Sequence, residues 1–208
     1  FYLIVQYQTD KIEAERTIQM GNGNRGNTMI IKNGLVFTPE GKFEKKDFYI
    51  EGEYVAKETT DNKEVEAEGC YVIPGLVDIH FHGCVRHDMC DGTEESIQAL
   101  ADYEAANGVL AICPATMTIP EEELFQAMNA AREHKNGKGA DLVGINMEGP
   151  FVNKEKKGAQ KEEDIKLADV ELFHKLQEAA GGLIKLVDLA PETEGAMDFI
   201  NQVKDEVH

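Results

Sequence analysis

The sequence predicts an α/β protein in two parts, a short β-rich stretch followed by repeated strand–helix units. Three observations carry this. From Met29 to Ile73, short runs of β-branched and aromatic residues are separated by turn residues. From Pro74 onward, apolar strand-like runs alternate with segments of helical period four times over. The runs at 109–113 and 183–189 are also nearly continuously apolar, as strands of a parallel sheet covered by helices are.

Residues 1–28 read differently from the rest. After the apolar opening Phe1-Tyr2-Leu3-Ile4-Val5 come a charged run at 11–16 and a Gly/Asn-rich run at 20–28, which is linker-like and should not pack. Met29 is expected to be the natural start, with 1–28 a non-native or flexible extension. Strands are expected at 30–31, 35–37, 48–50 and 71–73, punctuated by Asn33-Gly34, Pro39-Glu40-Gly41 and Glu51-Gly52. This β part, 29–73, is small to stand alone. The second part, 74–208, has expected strands at 76–80, 109–113, 142–147 and 183–189. Helices are expected at 94–107, 121–134, 170–180 and 194–206, with Pro120 beside the start of the second. Ile97, Leu100, Ala101 and Ala105 share one side of the first helix. Either a doubly wound sheet or half of a (β/α)8 barrel fits. No Gly-rich phosphate fingerprint follows the first strand, which disfavours a dinucleotide fold.

Composition narrows the functional classes. The 208 residues are 42% hydrophobic, enough for a buried core, and the formal net charge is −18. Such a surface disfavours nucleic acid, whose phosphates need clustered Lys and Arg, and disfavours anionic membranes. The four cysteines (Cys70, Cys84, Cys90, Cys113) do not form a disulfide framework in a chain of this length, and free thiols point to the cytoplasm. No apolar run approaches a membrane span, and the opening lacks the basic leader of a signal peptide.

The chemistry sits at strand ends. The first strand of the second part finishes in Asp78-Ile79-His80-Phe81-His82-Gly83, and a spacing of two on a strand turns both imidazoles to one face. A His-x-His pair alone is equally an incidental feature. The third strand ends in Met147-Glu148-Gly149-Pro150-Phe151, with Glu148 between a buried strand and a turn. Alone, Glu148 reads equally as a solvated residue at a loop mouth. Together the three occupy the carboxyl-end level where barrel enzymes gather their catalytic residues. Imidazole with carboxylate suits Zn²⁺, with Fe²⁺, Co²⁺ or Mn²⁺ as alternatives.

At this point a resemblance becomes specific. Pro74-Gly75-Leu76-Val77-Asp78-Ile79-His80-Phe81-His82-Gly83 resembles the opening of the amidohydrolase superfamily. Met147-Glu148-Gly149-Pro150-Phe151 followed by Lys156-Lys157-Gly158-Ala159, with Leu189-Ala190-Pro191-Glu192, resembles the N-acetylglucosamine-6-phosphate deacetylases more narrowly. The resemblance covers 29–208 and implies part of a β-sandwich followed by the first half of a (β/α)8 TIM-type barrel. It implies hydrolysis of N-acetylglucosamine 6-phosphate to glucosamine 6-phosphate and acetate in amino-sugar catabolism. A bound divalent metal, foremost Zn²⁺, would activate water and polarise the amide. Glu148 would ligate it, while His80 and His82 would line the same site or hold a second metal, since some members replace both with amides and keep one metal. The loop 153–161 would close over the sugar. Gly158, Ala159 and Gln160 would touch substrate, and Lys154, Lys156, Lys157 and Lys161 could attract its phosphate. The implied partner is a small phosphorylated amino sugar, and the complete protein would be a homodimer.

Departures from the pattern matter. Gln160 stands where the family often has His, and its amide can still donate a hydrogen bond. Arg86 stands where Gly is common. Cys84, His87 and Cys90 around Asp88 read as loop packing. Lys185 lies too early in its strand to be the carboxylated lysine of other superfamily members. The family's two further metal-binding His residues and its general-base Asp are expected beyond His208, so the chain reads as a truncated, inactive fragment with no catalytic residue of its own. Two alternatives remain open: another cyclic amidase or deaminase of the superfamily, and a non-catalytic half-barrel acting through association.

Overall fold

Turn residues between β-branched runs make the N-terminal part a sheet. In the computed structural model, which describes residues 2–6, 28–52, 54–59 and 63–208, six strands join in one sheet. They are β1 (Tyr2–Gln6), β2 (Met29–Phe37), β3 (Phe43–Glu51), β4 (Tyr54–Ala56), β5 (Glu64–Glu66) and β6 (Cys70–Pro74). The order is β1-β6-β2-β3-β4, with β5 also on β2. Met29, Ile31, Val36, Phe48, Ile50, Ala67 and Val72 form its small core. The opening segment, expected to lie in a non-native or flexible extension, pairs its backbone antiparallel with β6 from Tyr2↔Pro74 to Gln6↔Cys70. The charged run at 11–16 and the Gly/Asn-rich run at 20–27 lie outside the described residues.

Asn33-Gly34, expected as a turn, is instead an irregularity inside the continuous strand β2. There β2 exchanges β5, paired at Ile30–Lys32, for β6, paired at Leu35–Val36. Two contacts hold the kink: the Asn33 N–H donates to Asp47 Oδ1 at 3.0 Å, and its side-chain amide donates to the Glu66 carboxylate. Asn33 itself adopts φ 61, a conformation its short polar side chain tolerates. Gly34 is required for space, because a Cβ there would lie 2.6 Å from Val72 Cγ2.

The second part alternates as expected. Its elements are β7 (Leu76–Asp78), a hairpin of β8 (Gly83–Cys84) and β9 (His87–Asp88), α1 (Glu94–Ala106), β10 (Val109–Ile112), α2 (Glu121–Glu133), β11 (Asp141–Leu142), β12 (Ile145–Glu148), α3 (Val170–Ala179), β13 (Ile184–Asp188) and α4 (Ala196–Val203). All the strand pairs outside the hairpin are parallel: β7 with β10, β10 with β11, and β12 with β13. A parallel bridge Ala115↔Asn146 carries the line of β10 onto β12. The expected third strand is therefore one run, interrupted at Val143-Gly144, where a Gly144 Cβ would lie 2.6 Å from Lys185 Cγ. Each strand neighbours the one before it, with no reversal of order. His208 continues the trend: its N–H donates to Lys185 O and its carbonyl accepts Val187 N–H, both at 2.9 Å, the parallel pattern beside β13.

Local chemistry sets the helix ends. Thr93 Oγ1 accepts the Ser96 N–H and Asp169 accepts the N–H groups of Glu171 and Leu172, satisfying donors that the helices leave open. Glu121, Glu122 and Glu123 sit in the first turn of α2, where the helix dipole favours negative charge. The expected helix at 194–206 begins two residues later because Gly195 takes a left-handed φ of 79 as its cap. Inward faces of all four helices meet the strands in one core, with Phe151, Phe173 and Phe199 packed ring to ring. Burying each such ring contributes about 1.5–3 kcal/mol. Among the described residues no helix is long and apolar enough to cross a membrane.

Candidate metal centre

The site lies just past the carboxyl ends of the parallel strands. After β7 the chain stays extended through His80-Phe81-His82, so side chains alternate: Phe81 packs onto the core while the two imidazoles face the other way. Backbone bonds fix this segment, with Cys113 N–H donating to Asp78 O at 2.8 Å and Ala115 N–H to Phe81 O at 2.7 Å. Asp78 Oδ1 accepts the His80 N–H at 3.0 Å. The rings of His80 and His82 stand 5.3 Å apart between centroids, nearly perpendicular at 86°.

Glu148, the last residue of β12, closes the group. Its Oε2 lies 3.1 Å from His80 Nε2 and 3.3 Å from His82 Nε2. A tetrahedral ion with bonds of about 2.0–2.1 Å sets neighbouring donor atoms about 3.3–3.4 Å apart. The two spacings to Glu148 lie close to that value, and all three donor atoms lie within 4.8 Å of one another, as a small divalent cation requires. Among the described residues, His80, His82 and Glu148 are the one group of three whose donor atoms converge in this way.

Gln160 stands behind Glu148 and is buried. Its Nε2 donates to Glu148 Oε1 at 2.6 Å and its Oε1 accepts the Thr118 N–H at 2.6 Å. Both ends of the amide are thus engaged within the protein. One carboxylate oxygen is held from the loop side, which leaves the other turned to the two imidazoles. Gly149 allows this closeness, since a Cβ there would lie 2.2 Å from Thr118 Oγ1.

The other expected substrate residues lie along the same loop. Gly158 and Ala159 are exposed, as are Lys154, Lys156 and Lys161. Lys157 is half-buried, its Nζ donating to Gln160 O at 3.1 Å. Asn153 ties the loop to Leu189-Ala190-Pro191-Glu192 by donating to Glu192 Oε1 at 2.8 Å, a bond that lowers the Glu192 carboxyl from its ordinary value. Ala190 N–H donates to Phe151 O at 2.9 Å, so two of the sequence motifs meet directly.

Lys185 points elsewhere, its Nζ donating to Gly182 O at 2.7 Å. Val85 and Arg86 make the two-residue turn of the β8–β9 hairpin at φ 45 and 70, which accounts for a Gly-like position at Arg86. Asp88 caps the helical turn Met89–Asp91, and Cys90 Sγ accepts the Met117 N–H at 3.2 Å. Burial pushes the Cys90 thiol up to about 12. The Cys84–His87–Cys90 cluster is held together by hairpin and cap bonds, as expected of a packed loop.

Sequence reasoning missed two side chains beside His80. Asp188, the last residue of β13 and paired in register with Glu148, places Oδ2 3.3 Å from His80 Nδ1. Asn146 on β12 places Nδ2 3.0 Å from the same nitrogen and donates to Ile79 O at 3.1 Å. A carboxylate near the end of the apolar run 183–189 was the available signal for Asp188.

No protein-family model matches the chain. Among curated proteins it is 37% identical over 183 residues to the N-acetylglucosamine-6-phosphate deacetylase of Bacillus subtilis (strain 168), covering 85% of this chain and 45% of the relative. It is 26% identical to that of Lysinibacillus sphaericus, covering 86% and 48%. The crystal structure of N-acetylglucosamine-6-phosphate deacetylase from Pasteurella multocida shares the fold at a TM-score of 0.75 and 20% identity, over 86% of this chain and 49% of that one. The chain spans about half the length of the curated relatives it matches. Over about 85% of its length it is similar to the N-terminal part of N-acetylglucosamine-6-phosphate deacetylases.

Proposed function

We propose that residues 74–208 form the first half of a (β/α)8 barrel and supply part of the metal site of a deacetylase acting on N-acetylglucosamine 6-phosphate. Residues 29–73 would belong to a small β-sandwich beside it. The sequential, unreversed parallel order of β7, β10, β11–β12 and β13 supports the barrel over a doubly wound sheet, whose order reverses. Leu76 and Val77 in β7 and Ile79 just after it are exposed, an apolar surface that further barrel strands would cover. The observation that carries the functional reading is the convergence of His80 Nε2, His82 Nε2 and Glu148 Oε2.

In this reading Glu148, His80 and His82 hold a divalent ion, foremost Zn²⁺. When bound, the ion lowers the pKa of a water and polarises the substrate amide. Gln160 keeps Glu148 turned toward the imidazoles, while Gly158 and Ala159 present backbone to the sugar. Lys154, Lys156 and Lys161 offer positive charge for the phosphate in a chain of formal net charge −18. In this reading the general base that would take the proton from water and return it to the leaving amine would be supplied by the half of the relatives' length that this chain does not cover. The complete protein would work in the cytoplasm, as a homodimer. Association through the exposed β7 face, without catalysis, is the second reading that the same apolar residues favour.

The test is acetate release from N-acetylglucosamine 6-phosphate with added Zn²⁺, by this chain and by a version extended through the reading frame that follows it. Activity in the extended version alone, lost with its bound zinc in Glu148→Gln, is the expected result. An active, zinc-replete Glu148→Gln variant would sink the ligand role, and inactivity of both proteins would redirect attention to other substrates or to association.

A further inference from the structure

We infer that Asp188 is a positioning residue that selects the ring form of His80 able to bind the metal. The inference rests on the metal reading above. A neutral imidazole carries hydrogen on one nitrogen and a lone pair on the other. If Nε2 is to ligate an ion, Nδ1 must carry the hydrogen and needs an acceptor to hold it.

The two neighbours of His80 Nδ1 make opposite demands. Asn146 Nδ2, at 3.0 Å, is a donor, and its second bond to Ile79 O fixes the amide in that sense. Its own Oδ1 is buried and finds no partner among the described residues. When Asn146 donates to Nδ1, the ring hydrogen sits on Nε2, which lies 3.1 Å from Glu148 Oε2. That arrangement leaves no lone pair for an ion. Asp188 Oδ2, at 3.3 Å from the same Nδ1, is an acceptor when ionised and stabilises the other form. In the change between them one proton leaves Nε2 and one is gained at Nδ1, so the charge of the ring is unaltered. Asn146 keeps its bond to Ile79 throughout.

The strand register makes this arrangement possible. Glu148 and Asp188 are paired across β12 and β13, so two carboxylates on adjacent strands flank one ring, one at each nitrogen. His82 has no such helper: its Nδ1 is buried and without a partner among the described residues. Asp188 therefore acts on His80 alone, and its side chain is 47% exposed, so replacing it should leave the fold intact.

The experiment uses the 208-residue chain, Zn²⁺ as the probe, and ¹⁵N-labelled histidine. Zinc-loaded wild type should show His80 with a hydrogen on Nδ1 and the ion on Nε2. Asp188→Asn should bind Zn²⁺ about 10–100-fold more weakly, and its His80 Nδ1–H signal should weaken or vanish. Wild type binding zinc through Nδ1, or Asp188→Asn binding it with unchanged affinity, overturns the role of Asp188 and leaves the metal reading standing. A wild-type chain that takes up no zinc overturns both. The ring form in wild type is read without any variant, so misfolding of Asp188→Asn does not protect the inference.

Discussion

Replacing Gln160 with leucine keeps the size of the side chain and removes both of its polar ends, which makes the consequences calculable. The Thr118 N–H loses its acceptor in a region where Thr118 itself is 2% exposed. An unsatisfied buried donor costs about 1–3 kcal/mol. The bond to Glu148 is charge-assisted and worth about 1.5–3 kcal/mol, but the Glu148 side chain is 24% exposed, so water replaces part of it. The apolar side chain recovers about 1 kcal/mol through burial. The net loss is about 2–3 kcal/mol, which at a urea slope of about 2 kcal/mol per molar lowers the unfolding midpoint by about 1–1.5 M. Glu148 loses the contact that holds its Oε1, and zinc affinity should fall about 10–100-fold. Urea unfolding followed by circular dichroism and a competitive zinc titration measure the two effects. A midpoint and a zinc affinity both equal to wild type would refute the reasoning, because Gln160 would then hold neither the loop nor the carboxylate.

With its thiol pushed up to about 12, Cys90 should be ionised in roughly one molecule in ten thousand at pH 8. Mass spectrometry after brief iodoacetamide treatment should find it unmodified in the folded chain and modified in urea; equal rates would show the thiol to be accessible and ordinary. Burial also lowers the His134 ring from its ordinary value, against smaller opposing effects of Glu94 and Asp141. The folded state then binds fewer protons than the unfolded one below about pH 6.5, so stability should fall as pH drops from 7 through that value. His134→Leu should flatten that dependence, measured by urea midpoints at pH 7.5 and 5.5, and identical slopes in the two proteins would contradict it.

The alternation of strands and helices after Pro74 was legible because each unit carries its own period and its own caps, such as Thr93 and Asp169. The His80–His82 face followed from the two-residue repeat of extended chain, and Glu148 from its position between a buried strand and Gly149. Other features depend on partners distant in sequence and leave little local trace. Asn33-Gly34 has the composition of a turn, and only Asp47 and Glu66 make it a kink within a strand. Gln160 reads from sequence as a substrate donor, and its bonds to Glu148 through Nε2 and to Thr118, 42 positions away, through Oε1 are visible only in the structure. Asp188 and Asn146 gain meaning only from the register of β12 and β13 and from the ring they share.

The unreversed strand order also bears on how the protein is made. From β7 onward each parallel strand lies beside the parallel strand made before it, so this part can assemble by accretion as the chain leaves the ribosome, whereas β1 and β2 of the first sheet must wait for β6. The three converging donors fall within roughly seventy residues, a stretch that translation at about 5–20 residues per second completes in about 4–14 seconds. An ion-binding corner can therefore take shape during synthesis. A cation captured at that stage would pin β7 to β12 across the intervening strand, acting as a staple on a nascent sheet before it serves any chemistry.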